Sequence, residues 1–158
     1  MLARHQILNL IPHRGASFLL DHVTTWSDRE ILCGATSHLD PQNPLRRAGR
    51  LGAISGIEYG LQAAALHGAL KGGAQPQPIG YVASLRGVEM AIEAFDNPAF
   101  GTLRVEATME GSETAGALYA FRVLSEGHDL LVSGRATIVF TKTVSGGDTK
   151  IHVGKELS

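Results

Sequence analysis

The second half of the chain alternates apolar and polar positions. Leu103, Val105, Ala107 and Met109 fall on one side and Arg104, Glu106, Thr108 and Glu110 on the other, the period of a strand with one buried face. Residues 118–124 and 130–140 also read as strands, separated by the turn Ser125-Glu126-Gly127, and residues 79–90 form a further candidate. In the first half, 18–26 and 30–38 read as two strands joined by Ser27-Asp28-Arg29. Residues 3–10 can form a short helix that stops before Ile11-Pro12, since proline disfavours helix in the residue before it. Residues 51–71 are predicted to be the one long helix, ended by Gly72-Gly73, with an apolar stripe through Ile54, Ile57, Leu61 and Ala65. Residues 40–50 carry two prolines and three arginines and read as a loop. One long apolar helix among such strands predicts an α+β domain, an antiparallel sheet of about five or six strands wrapped around a central helix. Such a sheet keeps exposed edges, for which dimerisation is a common remedy.

Composition narrows the picture. A chain of 158 residues, 44% hydrophobic and 18% charged, with no internal repeat or linker, fits one domain. Residues 1–142 are assigned to it, and 143–158, rich in Gly, Lys and Asp, are expected to be a flexible tail. A net charge of −1 argues against nucleic-acid binding. The single cysteine, Cys33, forms no intrachain disulfide, which fits a reducing cytoplasmic compartment. The apolar run at the N-terminus is broken by His5, Gln6 and Asn9, so no signal peptide is read there. Glu58, Gln62 and His67 interrupt the longest apolar segment, which is therefore read as a core helix and not a membrane span.

Glu58 is the most informative residue for chemistry. It interrupts the predicted apolar stripe, where desolvation favours the neutral carboxyl that a general acid needs. The alternative is a carboxylate facing a solvent-filled groove or pairing with a buried arginine. Gln62, one turn on, is placed to hydrogen-bond Glu58 and orient it. His38, at the end of the second strand, is a candidate general base. It is one of seven histidines, and spacing alone does not choose between it, His13 and His67. No His, Cys, Asp or Glu spacing fits a zinc site, so no metal is expected. Ser55 lies outside a nucleophile-elbow pattern, and Gly-x-Gly-x-x-Gly is absent. The amides near Gly49, Gly52 and Ala53, at the predicted helix start, could polarise a carbonyl. Arg46, Arg47 and Arg50 suit a phosphate or an acidic partner, or else form a solvated basic loop.

At these residues the chain resembles the 3-hydroxyacyl-acyl-carrier-protein dehydratases. Ile11-Pro12-His13-Arg14 with Phe18-Leu19-Leu20-Asp21 and Val23 is similar to that family's L-P-H-R…F-L-L-V-D-R-V. Gly56-Ile57-Glu58-Tyr59-Gly60-Leu61-Gln62-Ala63 resembles its helix motif L-x-E-A-x-A-Q-A, and residues 81–88 resemble the strand that follows. His38…Asn43-Pro44-Leu45-Arg46 with Gly56-Ile57-Glu58-Tyr59 looks closer still to the dehydratase-like subunit of aryl-polyene biosynthesis. The resemblance implies a single hotdog domain and a homodimer or higher oligomer, with a second hotdog subunit as an alternative, and active sites at the interface. It implies dehydration of a 3-hydroxyacyl thioester on the phosphopantetheine of acyl carrier protein, with Glu58 as acid and no metal or redox cofactor. The family's G-H-F-P run is absent, and an ungapped match puts Pro44 in the histidine's place. The histidine role passes to His38, which ends the equivalent strand. The carrier would dock near Arg46, Arg47 and Arg50. The same carboxylate would serve a hotdog thioesterase, and the missing motif would also fit a degenerate subunit that binds an active dehydratase. Asp40…Asn43-Pro44-Leu45 is a weaker echo of the enoyl-CoA hydratase run D-x-N-P-L-H, discounted because Arg46 replaces that family's histidine.

Overall fold

The computed structural model of the protein describes residues 1–10, 17–73 and 79–141. A two-residue strand, β1 (Leu2–Ala3), runs into a short helix, α1 (Arg4–Leu10), and two strands follow, β2 (His22–Trp26) and β3 (Glu30–Ala35). The long helix α2 (Ser55–Gly72) comes next, and then β4 (Ile79–Met90), β5 (Leu103–Glu113), β6 (Gly116–Leu124) and β7 (Leu130–Thr141). All neighbours pair antiparallel, in the sheet order β1-β2-β3-β5-β6-β7-β4. The sheet has seven strands, more than the five or six expected, because Leu2–Ala3 adds an unforeseen edge to β2. Residues 11–16, which carry His13 and its motif, and the tail 143–158 lie outside the described residues.

The alternation read from the sequence is the alternation of burial. Leu103, Val105 and Ala107 of β5 are buried, as are Ala117, Tyr119, Phe121 and Val123 of β6, and they face α2 across the core. The expected strands 18–26 and 30–38 are shorter. Residues 18–21 lead irregularly into β2, and β3 stops at Ala35 before a single 3₁₀ turn, Ser37–Leu39.

Two expectations for the long helix are corrected. It begins at Ser55 and not at Leu51, because residues 51–53 are held in a short pairing with 93–95 instead. There Ala53 N–H donates to Glu93 O (2.9 Å) and Phe95 N–H to Leu51 O (2.7 Å). The face turned to the sheet is also different. Tyr59, Gly60, Ala63, Leu66 and His67 are buried, whereas Ile54 is 62% exposed and Ile57, Leu61 and Ala65 are only half-buried. The cause is close approach. A Cβ at Gly60 would sit 2.3 Å from Phe121 Cδ1, so the helix lies too near the sheet for any side chain at that position. Ile54, Leu61 and Ala65, with Glu58 among them, therefore face away from the sheet, while Ile57 packs partly against the core.

Candidate functional site

Glu58 and Gln62 sit one turn apart on α2 and meet: Gln62 Nε2 donates to Glu58 Oε1 (3.1 Å). Glu58 is half-buried, whereas Gln62 is 2% exposed and fixed from the far side of the helix. Leu19 N–H donates to Gln62 Oε1 (2.8 Å), and Gln62 Nε2 also donates to Ser17 O (3.0 Å). A rigid amide thus presents its N–H to the carboxyl, as the spacing of the two residues implies.

The loop after β3 is tied to the same helix by the next residue along, Tyr59. Its hydroxyl lies 2.7 Å from Ser37 Oγ and accepts from Asn43 Nδ2 (3.3 Å), while Ser37 Oγ donates to Leu19 O (2.7 Å). Asn43 Nδ2 further donates to Ser37 O (2.9 Å), and Asn43 Oδ1 accepts from Leu45 N–H (2.9 Å), turning the chain at Pro44. Tyr59 is wholly buried, and burial pushes its hydroxyl pKa up to about 12, so it stays protonated. A cavity of about 270 Å³ opens beside this cluster, lined in part by Arg4, Phe18, Leu19, Asp21, Ser37 and Asn43.

His38, inside this loop, is 0% exposed, and neither ring nitrogen has a hydrogen-bond partner. Burial holds its pKa below the ordinary value. The nearby Gly101 backbone and the Asp21 charge oppose that shift in part, although Gly101 closes no hydrogen bond, and the Arg46 charge adds to it. The imidazole is therefore neutral at neutral pH, the form a general base needs, but it is covered. It does not bond Glu58 within one chain. His67, the rival on α2, is a core residue. Its ring nitrogens lie 2.7 Å from Tyr119 Oη and 2.8 Å from Ser27 O, which clamps the β2–β3 turn to the helix.

The three loop arginines are largely spent on the chain itself. Arg46 donates to the carbonyls of Asp40 (2.8 Å), Gly49 (2.8 Å) and His38 (3.2 Å), stapling the loop from inside. Arg47 Nη1 donates to Pro44 O (3.1 Å) and Arg46 O (2.8 Å). Arg50 pairs with Asp96 at 2.7 Å, which holds that carboxyl below its usual range. Arg47 and Arg50 bond each other's main chains around Ala48-Gly49, both at positive φ (52° and 75°), a two-residue hairpin turn. Of the amides expected to polarise a carbonyl, that of Ala53 is committed to Glu93 O, while those of Gly49 and Gly52 make no bond to described residues.

Sequence reasoning missed Tyr59, Ser37, Asn43 and the Leu19 main chain. Only Asn43-Pro44 carried a local signal, that of a turn. Cys33 is buried with its thiol pushed up to about 12, so it is unreactive. Among the described residues no group of three or more His, Cys, Asp or Glu could hold a metal ion, and no helix is long and apolar enough to cross a membrane.

The family model described as ApeP dehydratase, ApeP-like, matches residues 5–145. The chain belongs to the ApeP-like dehydratase family. No protein of curated function matches it. The dehydratase heterocomplex ApeI:P from Xenorhabdus doucetiae is similar to this ApeP-like chain at TM-score 0.75 and 20% identity, covering 86% of this chain and 91% of that one. The Escherichia coli PaaI protein of the phenylacetic acid degradation operon matches at TM-score 0.61 and 10% identity, over 85% and 92%. Thioesterase HI1161 from Haemophilus influenzae matches at TM-score 0.58 and 13% identity, over 88% and 90%. These likenesses show the fold, a single hotdog domain.

Proposed function

We propose that this ApeP-like chain is a subunit of a dehydratase acting on 3-hydroxyacyl thioesters carried by acyl carrier protein. Glu58, held by Gln62 on the helix face turned away from its own sheet, carries the reading. It protonates the departing 3-hydroxyl, while His38 takes the C2 proton, leaving the enoyl thioester and water. In this reading the Gly49 and Gly52 amides polarise the thioester carbonyl, and the phosphopantetheine arm passes Arg46, Arg47 and Arg50. The site is completed by a second hotdog subunit, a copy of this chain or a different one.

The burial of His38 favours a second reading for the base: the partner subunit supplies it, and His38 is structural. The test is turnover of 3-hydroxyacyl-carrier protein to enoyl product by the chain alone and co-purified with a hotdog partner. Glu58→Gln should lower the rate at least ~10²-fold, the scale of a lost acid. A comparable loss in His38→Ala supports His38 as base; an unchanged rate assigns the base elsewhere. Release of free thiol in place of enoyl product would make the chain a thioesterase and sink the dehydratase reading.

A further inference from the structure

We infer that Tyr59, Ser37, the Leu19 main chain and Gln62 form one hydrogen-bonded chain that positions the Glu58 carboxyl, which makes Tyr59 and Ser37 positioning residues for the acid. The inference rests on the reading of Glu58 as that acid.

The direction of each bond follows from what the groups can do. Leu19 O only accepts, so the single Ser37 hydroxyl proton is given to it. Ser37 Oγ must then accept from Tyr59 Oη, 2.7 Å away, which leaves the tyrosine oxygen to accept from Asn43 Nδ2. On the other side, Leu19 N–H only donates, so the Gln62 atom facing it is Oε1. Gln62 Nε2 is thereby turned to Ser17 O and Glu58 Oε1, and its two protons meet two acceptors. Leu19 is thus held at both main-chain groups, by Ser37 on its carbonyl and by Gln62 on its amide.

Two consequences follow for the acid. The Gln62 amide cannot flip without losing the Leu19 bond, so Glu58 Oε1 is always offered a donor at a fixed position. The chain also joins the two candidate catalytic segments, since Ser37 and Tyr59 are the sequence neighbours of His38 and Glu58. Loosening Ser37 or Tyr59 frees Leu19, and a freed Leu19 lets Gln62 turn.

The test uses the full-length chain labelled with ¹⁵N. Ser37→Ala and Tyr59→Phe should each shift the Leu19 amide and Gln62 side-chain NH₂ resonances and speed exchange of the Gln62 amide protons, and Ser37→Thr should restore them. Gln42→Ala, exposed beside Asn43 and bonded only through its main-chain amide, should leave Gln62 unmoved. Gln62 resonances that ignore Ser37→Ala, or that move equally in Gln42→Ala, would overturn the inference whatever the protein's turnover. In the dehydration assay Ser37→Ala and Tyr59→Phe should each lower kcat about fivefold, the worth of one net hydrogen bond, with KM held within about twofold. The double variant should fall no further than the worse single one, and a fall in KM terms only would also overturn the inference. A wild-type protein that forms no enoyl product with any partner sinks the dehydratase reading, while the resonances still decide the chain.

Discussion

Gly60→Ala sets two effects of opposite sign against each other. In a helix interior, alanine is favoured over glycine by about 1 kcal/mol. At this position the new Cβ would lie 2.3, 2.4 and 2.8 Å from Cδ1, Cγ and Cβ of Phe121. Carbon atoms pack at about 3.5–4.0 Å, so ring or helix must retreat by roughly 1 Å or more. The ring has little room. Phe121 is 2% exposed, and its far edge is already so close to Gly134 that a Cβ there would be 2.8 Å from Phe121 Cζ. Overpacking of this kind costs about 1–3 kcal/mol, and with no slack at the ring the upper part of that range applies. The net expectation is a loss of about 1–2 kcal/mol, read as a lower urea midpoint at unchanged slope. Phe121→Leu in the Gly60→Ala background should recover part of it by making space. A Gly60→Ala protein as stable as the wild type, or more so, would refute the account of why the helix turns its small residues inward.

The remaining predictions concern titration, partnering and strain. His38 and His67 both have folded pKa values below the ordinary 6.5, so the unfolded chain takes up protons first as pH falls. Stability from this source is full above about pH 6.5 and declines below it, down through the folded values; urea midpoints that stay flat or rise between about pH 7.5 and 5.5 would contradict it. Tyr119→Phe removes the partner of His67 Nδ1 in the core and should cost about 1–3 kcal/mol by denaturant unfolding. Ala48 holds φ 52°, a region that disfavours a Cβ, so Ala48→Gly should raise stability by about 0.5–1 kcal/mol, seen as a higher Tm.

What could be read without coordinates was local. The β5 face of Leu103, Val105 and Ala107 followed from a period of two, and the Glu58–Gln62 contact from a spacing of four. The buried face of α2 was misjudged because the helix is apolar on both sides, so periodicity weights large aliphatics over the small residues that permit close packing. The Ser37–Tyr59 and Leu19–Gln62 bonds span 22 and 43 positions, and no pattern along the chain marks partners so far apart. Arg46 and Arg47 read as uncommitted cations because the carbonyls that receive their protons have no signature in residue type, and the Arg50–Asp96 pair spans 46 positions.

The sheet ends very differently at its two sides, with two residues in β1 and twelve in β4. Local opening costs least where few bonds hold an edge, so amide exchange should start at the β1 side, well below the free energy of global unfolding. Arg4, which follows β1, bonds Leu20 O at 2.9 Å and stacks on the Phe18 ring at 5.8 Å. Fraying there loosens residues 18–20 and with them the support of Gln62, so a rare excursion of the N-terminal edge reaches the Glu58 carboxyl while the long strands stay shut.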